Sequence, residues 1–178
     1  KATADEVELQ VPVDGFVHLP RKAETLVRLS WVRPPSTFLL IKKPGASEIT
    51  NAMVQMAHHL LKLCTRLLDM KGGSGEVPTP YVIVEPSVYA ESALATIPPE
   101  HVKTWAVEGS AVGEHLVGRE LLAELVDVVI CLGGDGTLLW ASSLFPHAMP
   151  PVISFAMGSL GFLTPFPFAS HDAQLRKL

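Results

Sequence analysis

The sequence has few of the features that mark disulfide-rich, zinc-binding or membrane proteins. Its 178 residues include only two cysteines and no Cys-x-x-Cys pair, so neither a disulfide framework nor a cysteine zinc site is predicted. We expect both thiols, Cys64 and Cys131, to be reduced core residues. The longest apolar stretches fall far short of the roughly 20 residues that cross a bilayer. We therefore expect an intracellular, cytoplasmic protein with no membrane partner. Because the first residue is Lys1 and not Met, an organelle such as a plastid stays open.

Concentrated positive charge is also missing. Lysine and arginine total 14 against 18 aspartates and glutamates, and the cationic residues are scattered along the chain. A nucleic-acid surface needs clustered cationic side chains that displace counterions from phosphate, so a nucleic-acid partner is not predicted. The seven histidines show no His-Glu-x-x-His spacing, so we expect no metal site built from protein side chains. A small-molecule partner is favoured.

Alternating apolar segments predict one α/β domain behind an N-terminal arm. Residues 1–36 contain several prolines and show no sustained period, so we assign them to the arm, and residues 37–178 to the domain. Apolar residues at intervals of three and four predict a helix from an N-cap at Ser47 to about Met70, where Gly72–Gly75 would end it. The other predicted strands and helices alternate as in a doubly wound parallel sheet. The strands are Thr37–Lys42, Tyr81–Glu85, Thr104–Val107, Val126–Leu132 and Val152–Ala156; the helices are Ser87–Ala95, Leu121–Leu125 and Thr137–Phe145.

A glycine-rich loop between a predicted buried strand and a helix is the first candidate site. This first loop consists of Gly133, Gly134, Asp135, Gly136 and Thr137. Three glycines let a phosphate approach the backbone and accept N–H hydrogen bonds at the positive end of the helix. The loop matches neither Gly-x-Gly-x-x-Gly nor a Walker motif. It predicts phosphate binding of a less common kind.

Asp135 is unusual in such a loop because its charge repels an anion. A carboxylate is favourable at this position if it contacts a metal ion or a sugar hydroxyl, or if it accepts a proton during a reaction. The alternative is that Asp135 only caps a helix that starts at Thr137, since aspartate is a favoured N-cap residue. The loop by itself leaves both interpretations open.

A second loop follows the next predicted strand. It contains Gly158, Ser159, Leu160, Gly161 and Phe162, and its two glycines again come directly after an apolar strand. In an open parallel sheet, ligands bind at the carboxyl ends of the strands. We therefore predict that Asp135 and Phe162 lie on neighbouring loops at one sheet edge.

With both loops in view, the chain resembles the NAD kinase family in its eukaryotic style. The resemblance rests on Cys-Leu-Gly-Gly-Asp-Gly-Thr-Leu-Leu and Ser-Phe-Ala-Met-Gly-Ser-Leu-Gly-Phe-Leu-Thr-Pro-Phe within Val126–Phe168, and on Ser30-Trp31 followed by Leu39–Lys43. Related lipid kinases and phosphofructokinases carry a similar Gly-Gly-Asp-Gly loop. The second loop is the part that points to NAD kinase.

The resemblance implies a fold, a reaction and a role for each loop. The fold would be a Rossmann-like or flavodoxin-like three-layer domain. Asp135 would activate the adenosine 2′-hydroxyl of NAD, and ATP, with Mg²⁺ carried by the nucleotide, would supply the phosphoryl group. Phe162 would pack on the dinucleotide, with a core aromatic as the alternative. The phosphate cradle would consist of Gly133, Gly134, Gly136 and Thr137, and the second loop would bind through Gly158, Ser159, Leu160, Gly161 and Phe162.

The family also has a following all-β domain with an Asn-Glu or Asn-Asp pair, which this sequence does not contain. We therefore expect the chain to be the front portion of an NAD kinase that forms a homo-oligomer at full length. Two alternatives stay open. One is a nucleotide-binding fragment or interaction module without activity of its own, and the other is a related lipid kinase.

Overall fold

A computed structural model describes residues 6–11, 26–31, 33–71, 79–107, 113 and 115–177. The strands of this part of the chain form a two-stranded and a seven-stranded sheet, and every strand pair is parallel. In chain order the strands are β1 (Glu6–Val11), β2 (Leu26–Trp31), β3 (Thr37–Lys42), β4 (Tyr81–Val84), β5 (Val102–Trp105), β6 (Leu116–Val117), β7 (Val128–Gly133), β8 (Val152–Ala156) and β9 (Phe166–Pro167).

The helices lie between these strands. Those in the described ranges are α1 (Thr50–Lys71), α2 (Pro86–Tyr89), α3 (Leu122–Leu125), α4 (Asp135–Ser142) and α5 (His171–Leu175), with short 3₁₀ turns at Ser47–Ile49, Ser92–Thr96, Pro99–His101, Arg119–Leu121 and Phe168–Ser170. None of the described helices is long and apolar enough to cross a membrane.

The seven-stranded sheet has the order β6-β5-β4-β3-β7-β8-β9. The strands β3 to β6 follow one another toward one edge of the sheet, and β7 to β9 follow one another from the other side of β3 toward the opposite edge. This is the Rossmann arrangement rather than the flavodoxin one. The predicted parallel α/β fold is confirmed. Phe38 and Leu40 of β3 belong to a core cluster with α1, whereas Leu39 and Ile41 belong to a second cluster with α3 and α4. Two apolar faces covered by helices make three layers.

The predicted strands agree with the structure to within about two residues. Thr37–Lys42 and Val152–Ala156 are found as predicted, whereas the strand expected at Thr104–Val107 occupies Val102–Trp105. β7 starts at Val128 and not at Val126, because Asp127 is used in a turn. The two cysteines are free and buried, as expected, and burial raises the pKa of Cys64 and of Cys131 to about 12.

Helix boundaries were predicted less well. The N-cap prediction for Ser47 is wrong: this residue lies inside a 3₁₀ turn whose N-cap residue is Ala46, and no side chain makes the capping hydrogen bond of that turn. The helix expected over 87–95 is divided into α2 and a 3₁₀ turn, while α4 begins two residues before the predicted start at Thr137 and ends at Ser142. α1 ends at Lys71, and the Gly72–Gly75 stretch invoked to end it lies outside the described residues.

The N-terminal segment contains strands that we did not predict. β1 and β2 pair in parallel from Glu6↔Leu26 to Val11↔Trp31 and form a sheet of their own. The interpretation of residues 1–36 as an arm without a sustained period is therefore wrong for 6–11 and 26–31, whereas residues 1–5, 12–25 and 32 lie outside the described part. The missed signal was the strict alternation of polar and apolar residues over 6–11, a period typical of a strand. A domain boundary after residue 36 remains a prediction.

A buried carboxylate links two neighbouring strands at the amino-terminal edge of the sheet. Asp127 Oδ2 accepts hydrogen bonds from the backbone N–H groups of Ser36 and Thr37 at 2.8 and 2.9 Å, and Asp127 Oδ1 accepts from Arg33 at 3.2 Å. These bonds join the start of β3 to the turn before β7, which is 90 residues away in sequence. Charge-assisted bonds of this kind are stronger than neutral ones.

We expect Asp127→Ala to lower the free energy of unfolding by about 2 to 3 kcal/mol, because two backbone donors and Arg33 lose their acceptor. Urea unfolding followed by circular dichroism measures the change. Glu124→Ala, an exposed carboxylate in α3, is the control and should stay within about 0.5 kcal/mol of the parent. A loss at Asp127 as small as that at Glu124 would contradict the assignment.

Candidate active site

The candidate site lies where the strand order of the sheet reverses. β3 and β7 are neighbours, with Lys42 opposite Leu132, and β8 lies beside β7 with Ala156 opposite Gly133. The three strands are parallel, so the segments that follow them meet at the carboxyl edge. These segments are the turn after β3, the first loop and the second loop. Ligands of doubly wound sheets bind at such a switch point.

Asp135 joins the two loops. Its Oδ2 atom accepts a hydrogen bond from the Phe162 N–H at 3.1 Å. Its Oδ1 atom accepts bonds from the Leu163 N–H at 3.0 Å and from the Thr164 hydroxyl at 3.2 Å. The predicted adjacency of Asp135 and Phe162 is thus confirmed.

The carboxylate does not cap the helix. Asp135 is the first residue of α4, the N-cap residue is Gly134, and no side chain makes the capping hydrogen bond. The capping alternative is therefore wrong. The reason is that the backbone N–H groups of the second loop lie within reach of the carboxylate, which accepts three bonds there rather than one in its own helix.

Two glycines of the site are required by close packing. A Cβ atom at Gly133 would lie within 3.0 Å of the Thr137 side chain, and one at Gly161 within 3.0 Å of both Asp135 and Thr164. No real Cβ atom tolerates these distances. The remaining glycines of the two loops, by contrast, have no described atom within 4 Å of an added Cβ, so their missing side chains leave open space at the sheet edge: Gly134, Gly136 and Gly158.

Apolar side chains of the second loop point into solvent. Phe162 is 95% exposed and Leu160 is 59% exposed. Phe162 is therefore not a core residue, and the alternative that its ring packs in the core is wrong. Ser159 is also exposed, whereas Thr137 is buried behind the first loop. The structure therefore brings 133–137 together with 161–164, and leaves Gly158–Leu160 at the exposed side.

Charged residues at the end of β3 and after β4 were not among the predicted site residues. The nearly buried Lys42 ammonium pairs with Glu91 Oε1 at 3.0 Å, and the Thr50 hydroxyl donates to Glu91 Oε2. Desolvation alone would raise the pKa of Glu91, but the hydrogen bonds from Thr50 and Lys42 and the charge of Lys42 outweigh it and lower that pKa. The available signal was Lys42-Lys43-Pro44-Gly45, two cations and a turn at the end of the first strand of the domain.

A cleft of about 240 Å³ is bordered by Lys43, whose Cβ atom would lie 3.3 Å from a Cβ atom added at Gly133 of the first loop. It is lined on one side by the turn after β3 and on the other by the start of α2, with Lys43, Ser47, Glu85 and Ser87 among its residues. Lys43 is exposed there, and Glu85 accepts a hydrogen bond from the Trp140 indole at 2.9 Å. Within the described residues, no group of three histidine, cysteine, aspartate or glutamate side chains could hold a metal ion.

Comparison with known proteins places this geometry in a family. The model of the ATP-NAD kinase N-terminal domain matches residues 38–178. The probable NAD kinase 1 of rice (Oryza sativa subsp. japonica) is 31% identical over 86% of this chain and 25% of its own length. NAD kinase 2, chloroplastic, of Arabidopsis thaliana is 35% identical over 92% of this chain and 14% of its own length. The crystal structure of yeast NADH kinase complexed with NADH is similar with a TM-score of 0.61 and 26% identity, over 96% of this chain and 43% of that one.

The chain thus spans about a quarter of the length of the rice protein and less than half of the yeast structure. The family model nevertheless extends from Phe38 in β3 through α5, and it includes both loops and the carboxylate between them. The chain therefore belongs to the NAD kinase family and carries that family's N-terminal domain.

Proposed function

We propose that this chain is the nucleotide-binding part of an NAD kinase that transfers the γ-phosphoryl group of ATP to the 2′-hydroxyl of the adenosine ribose of NAD. The observation that carries the proposal is the Asp135 carboxylate held between two glycine loops at the switch point of the sheet. An aspartate so placed suits a hydroxyl nucleophile better than it suits a bare phosphate.

In this mechanism Asp135 orients the 2′-hydroxyl and accepts its proton. The hydroxyl oxygen forms the new bond to the γ-phosphorus, the bond from that phosphorus to the bridging oxygen breaks, and ADP leaves. Phosphoryl transfer depends mainly on positioning and charge stabilisation. The open backbone at Gly134 and Gly136 and the N-terminus of α4 would receive phosphate oxygens, with exposed Lys43 beside them as a cation.

The magnesium ion of this reaction would enter with the nucleotide. The described side chains offer no three-ligand group that could hold it alone, and Mg²⁺ commonly binds through substrate phosphates, water and one or two carboxylates. The ion would neutralise charge on the transferred phosphoryl group. Two glutamates, Glu85 and Glu91, line the cleft, and Glu91 is paired with Lys42. Glu85, which accepts a bond from the Trp140 indole, is therefore the carboxylate that would help to bind the ion.

The test is an assay of NADP formation from NAD and ATP, carried out on the full-length protein and on residues 1–178 separately. We expect the full-length protein to be active. Activity with a diacylglycerol or sphingoid base and none with NAD would favour the lipid-kinase alternative. Activity in neither case, with retained nucleotide binding, would favour an interaction module.

Phe162 provides a prediction about NAD affinity. Since its ring is 95% exposed, Phe162→Ala should change the free energy of unfolding by less than about 0.5 kcal/mol. If the ring packs on the dinucleotide, the same change should weaken NAD binding about 5- to 100-fold, the loss of roughly 1 to 3 kcal/mol of stacking. Leu121→Ala, which truncates an exposed apolar residue outside both loops, is the control and should leave NAD affinity unchanged. Isothermal calorimetry with NAD gives the affinity, and equal affinities for the parent and Phe162→Ala would remove Phe162 from the site.

Assembly and compartment are further parts of the proposal. We propose a homo-oligomer in the cytoplasm, with an organelle as the alternative that the chloroplastic Arabidopsis relative supports. Light scattering of the full-length protein measures the oligomeric state. Fluorescence microscopy of a tagged full-length protein in its host cell shows the compartment.

A further inference from the structure

Thr164 connects the backbone of the second loop to the Asp135 carboxylate. Its hydroxyl oxygen accepts a hydrogen bond from the Gly161 N–H at 3.0 Å, and its hydroxyl hydrogen is donated to Asp135 Oδ1 at 3.2 Å. Thr164 is completely buried. Both hydrogen-bonding functions of this side chain are therefore used at a place that water does not reach.

The two oxygens of the Asp135 carboxylate have different surroundings. Oδ1 accepts two bonds, from Leu163 and Thr164, whereas among the described residues Oδ2 accepts one, from Phe162. An ionised carboxylate has about four acceptor positions, two on each oxygen. Oδ1 is therefore saturated, and Oδ2 keeps one position for a further donor.

We propose that Thr164 is a positioning residue, which fixes Asp135 through Oδ1 so that Oδ2 faces the nucleophilic hydroxyl. This inference rests on the proposed function and names the atom that takes the proton. The bond from the 2′-hydroxyl hydrogen to its oxygen breaks, and the proton goes to Oδ2. Without Thr164, the bonds that the described residues still donate to the carboxylate are the two N–H bonds from Phe162 and Leu163.

An opposite role for the same contact would be inhibition, in which the second loop blocks the carboxylate until substrate displaces it. The geometry favours positioning. The Thr164 side chain touches the oxygen that is already bonded to Leu163, it leaves Oδ2 to a single partner, and Gly161 is packed so tightly against Asp135 that no Cβ atom would fit. A loop that must open for every turnover has no need of such close packing.

The test compares Thr164→Val with Thr164→Ser in the full-length protein. Valine keeps the shape of the side chain and removes the hydroxyl, whereas serine keeps the hydroxyl and removes the methyl group. We expect Thr164→Val to lower kcat about 10- to 100-fold with KM for NAD and ATP changed less than about threefold, because a small misplacement of the acting group reduces the rate by this order. Thr164→Ser should retain kcat within about threefold of the parent.

A matched control distinguishes positioning from loss of loop structure. Ser154 of β8 donates its hydroxyl to the Leu163 carbonyl and makes no described bond to Asp135. Ser154→Ala thus removes a hydrogen bond from the same loop without touching the carboxylate, and we expect a decrease in kcat of less than about threefold. Equal decreases in Ser154→Ala and Thr164→Val would overturn the inference in favour of a structural role.

The remaining outcomes are equally decisive. An active parent whose Thr164→Val variant turns over at the parent rate refutes the positioning role alone. An increase in kcat for Thr164→Val would mean that the contact inhibits. A parent without NADP formation refutes the proposed function and this inference with it. Amide hydrogen exchange of Gly161, which should become faster in Thr164→Val and not in Thr164→Ser, checks the hydrogen bond independently of activity.

Discussion

Asp135→Asn should lower kcat about 100- to 10,000-fold, equivalent to roughly 3 to 5 kcal/mol of activation free energy, because the variant loses the proton acceptor of the proposed reaction. NAD affinity should change much less. Steady-state kinetics of NADP formation in the full-length protein and calorimetry with NAD measure the two quantities.

The hydrogen bonds of Asp135 imply that this variant also loses stability. An asparagine side chain has one acceptor oxygen, so its NH₂ group must face either the Phe162 N–H or the Leu163 N–H that the carboxylate now accepts. We therefore expect the free energy of unfolding to fall by about 1 to 2 kcal/mol as well. A decrease in kcat alone would not distinguish a disturbed loop from the loss of the base, so a control is needed.

Asp127→Asn is the matched control for this loss. Asp127 also accepts hydrogen bonds from two neighbouring backbone N–H groups, those of Ser36 and Thr37, but at the opposite edge of the sheet. Both bonds go to Oδ2, so the oxygen of an asparagine can keep them, and its NH₂ group then faces Arg33, which loses its acceptor. This variant should lose about 1 kcal/mol of stability and keep kcat within about threefold. If both variants lowered kcat by the same factor, or if Asp135→Asn stayed within threefold of the parent, Asp135 would not be the base.

The sequence contained enough information to predict the sheet and the adjacency of the two loops. Buried parallel strands such as β3 and β8 are continuous apolar runs bounded by turn residues, so their positions could be read with little error. Parallel strands put their following loops at one edge, which is why the adjacency of Asp135 and Phe162 was predictable. The strand order also follows from chain order once a switch point is assumed.

The contacts within the site could not be read from the sequence. Asp135 was expected either to cap its own helix or to serve a substrate, and nothing local indicated that its oxygens accept N–H groups some 27 residues further on. The pairing of Lys42 with Glu91 likewise joins residues that are far apart in sequence. Such bonds depend on the distance between loops in the folded chain, and hydrophobic periodicity carries no information about it.

Glycines of the two loops have different roles, so the same substitution is expected to have opposite effects on stability at Gly161 and Gly134. Gly161→Ala places a methyl group within 3.0 Å of the side chains of Asp135 and Thr164, and the hydrogen bonds from Leu163 and Thr164 prevent the Asp135 carboxylate from simply moving aside. We expect the free energy of unfolding to fall by about 1 to 3 kcal/mol, as for other overpacked sites. If the carboxylate moves by about 1 Å, kcat should fall about 100-fold.

Gly134→Ala is the comparison for Gly161→Ala. Gly134 has φ of -115° and ψ of -170°, which any residue adopts, and a Cβ atom there meets nothing within 4 Å. Alanine should therefore leave stability unchanged or raise it by about 0.4 to 1 kcal/mol, because it reduces the conformational entropy of the unfolded chain. Nucleotide affinity should nevertheless fall, since the methyl group fills the space proposed for a phosphate. Thermal unfolding with and without ATP measures both effects. A Gly134→Ala protein that binds ATP as tightly as the parent would show that the open space of the first loop is not the phosphate site.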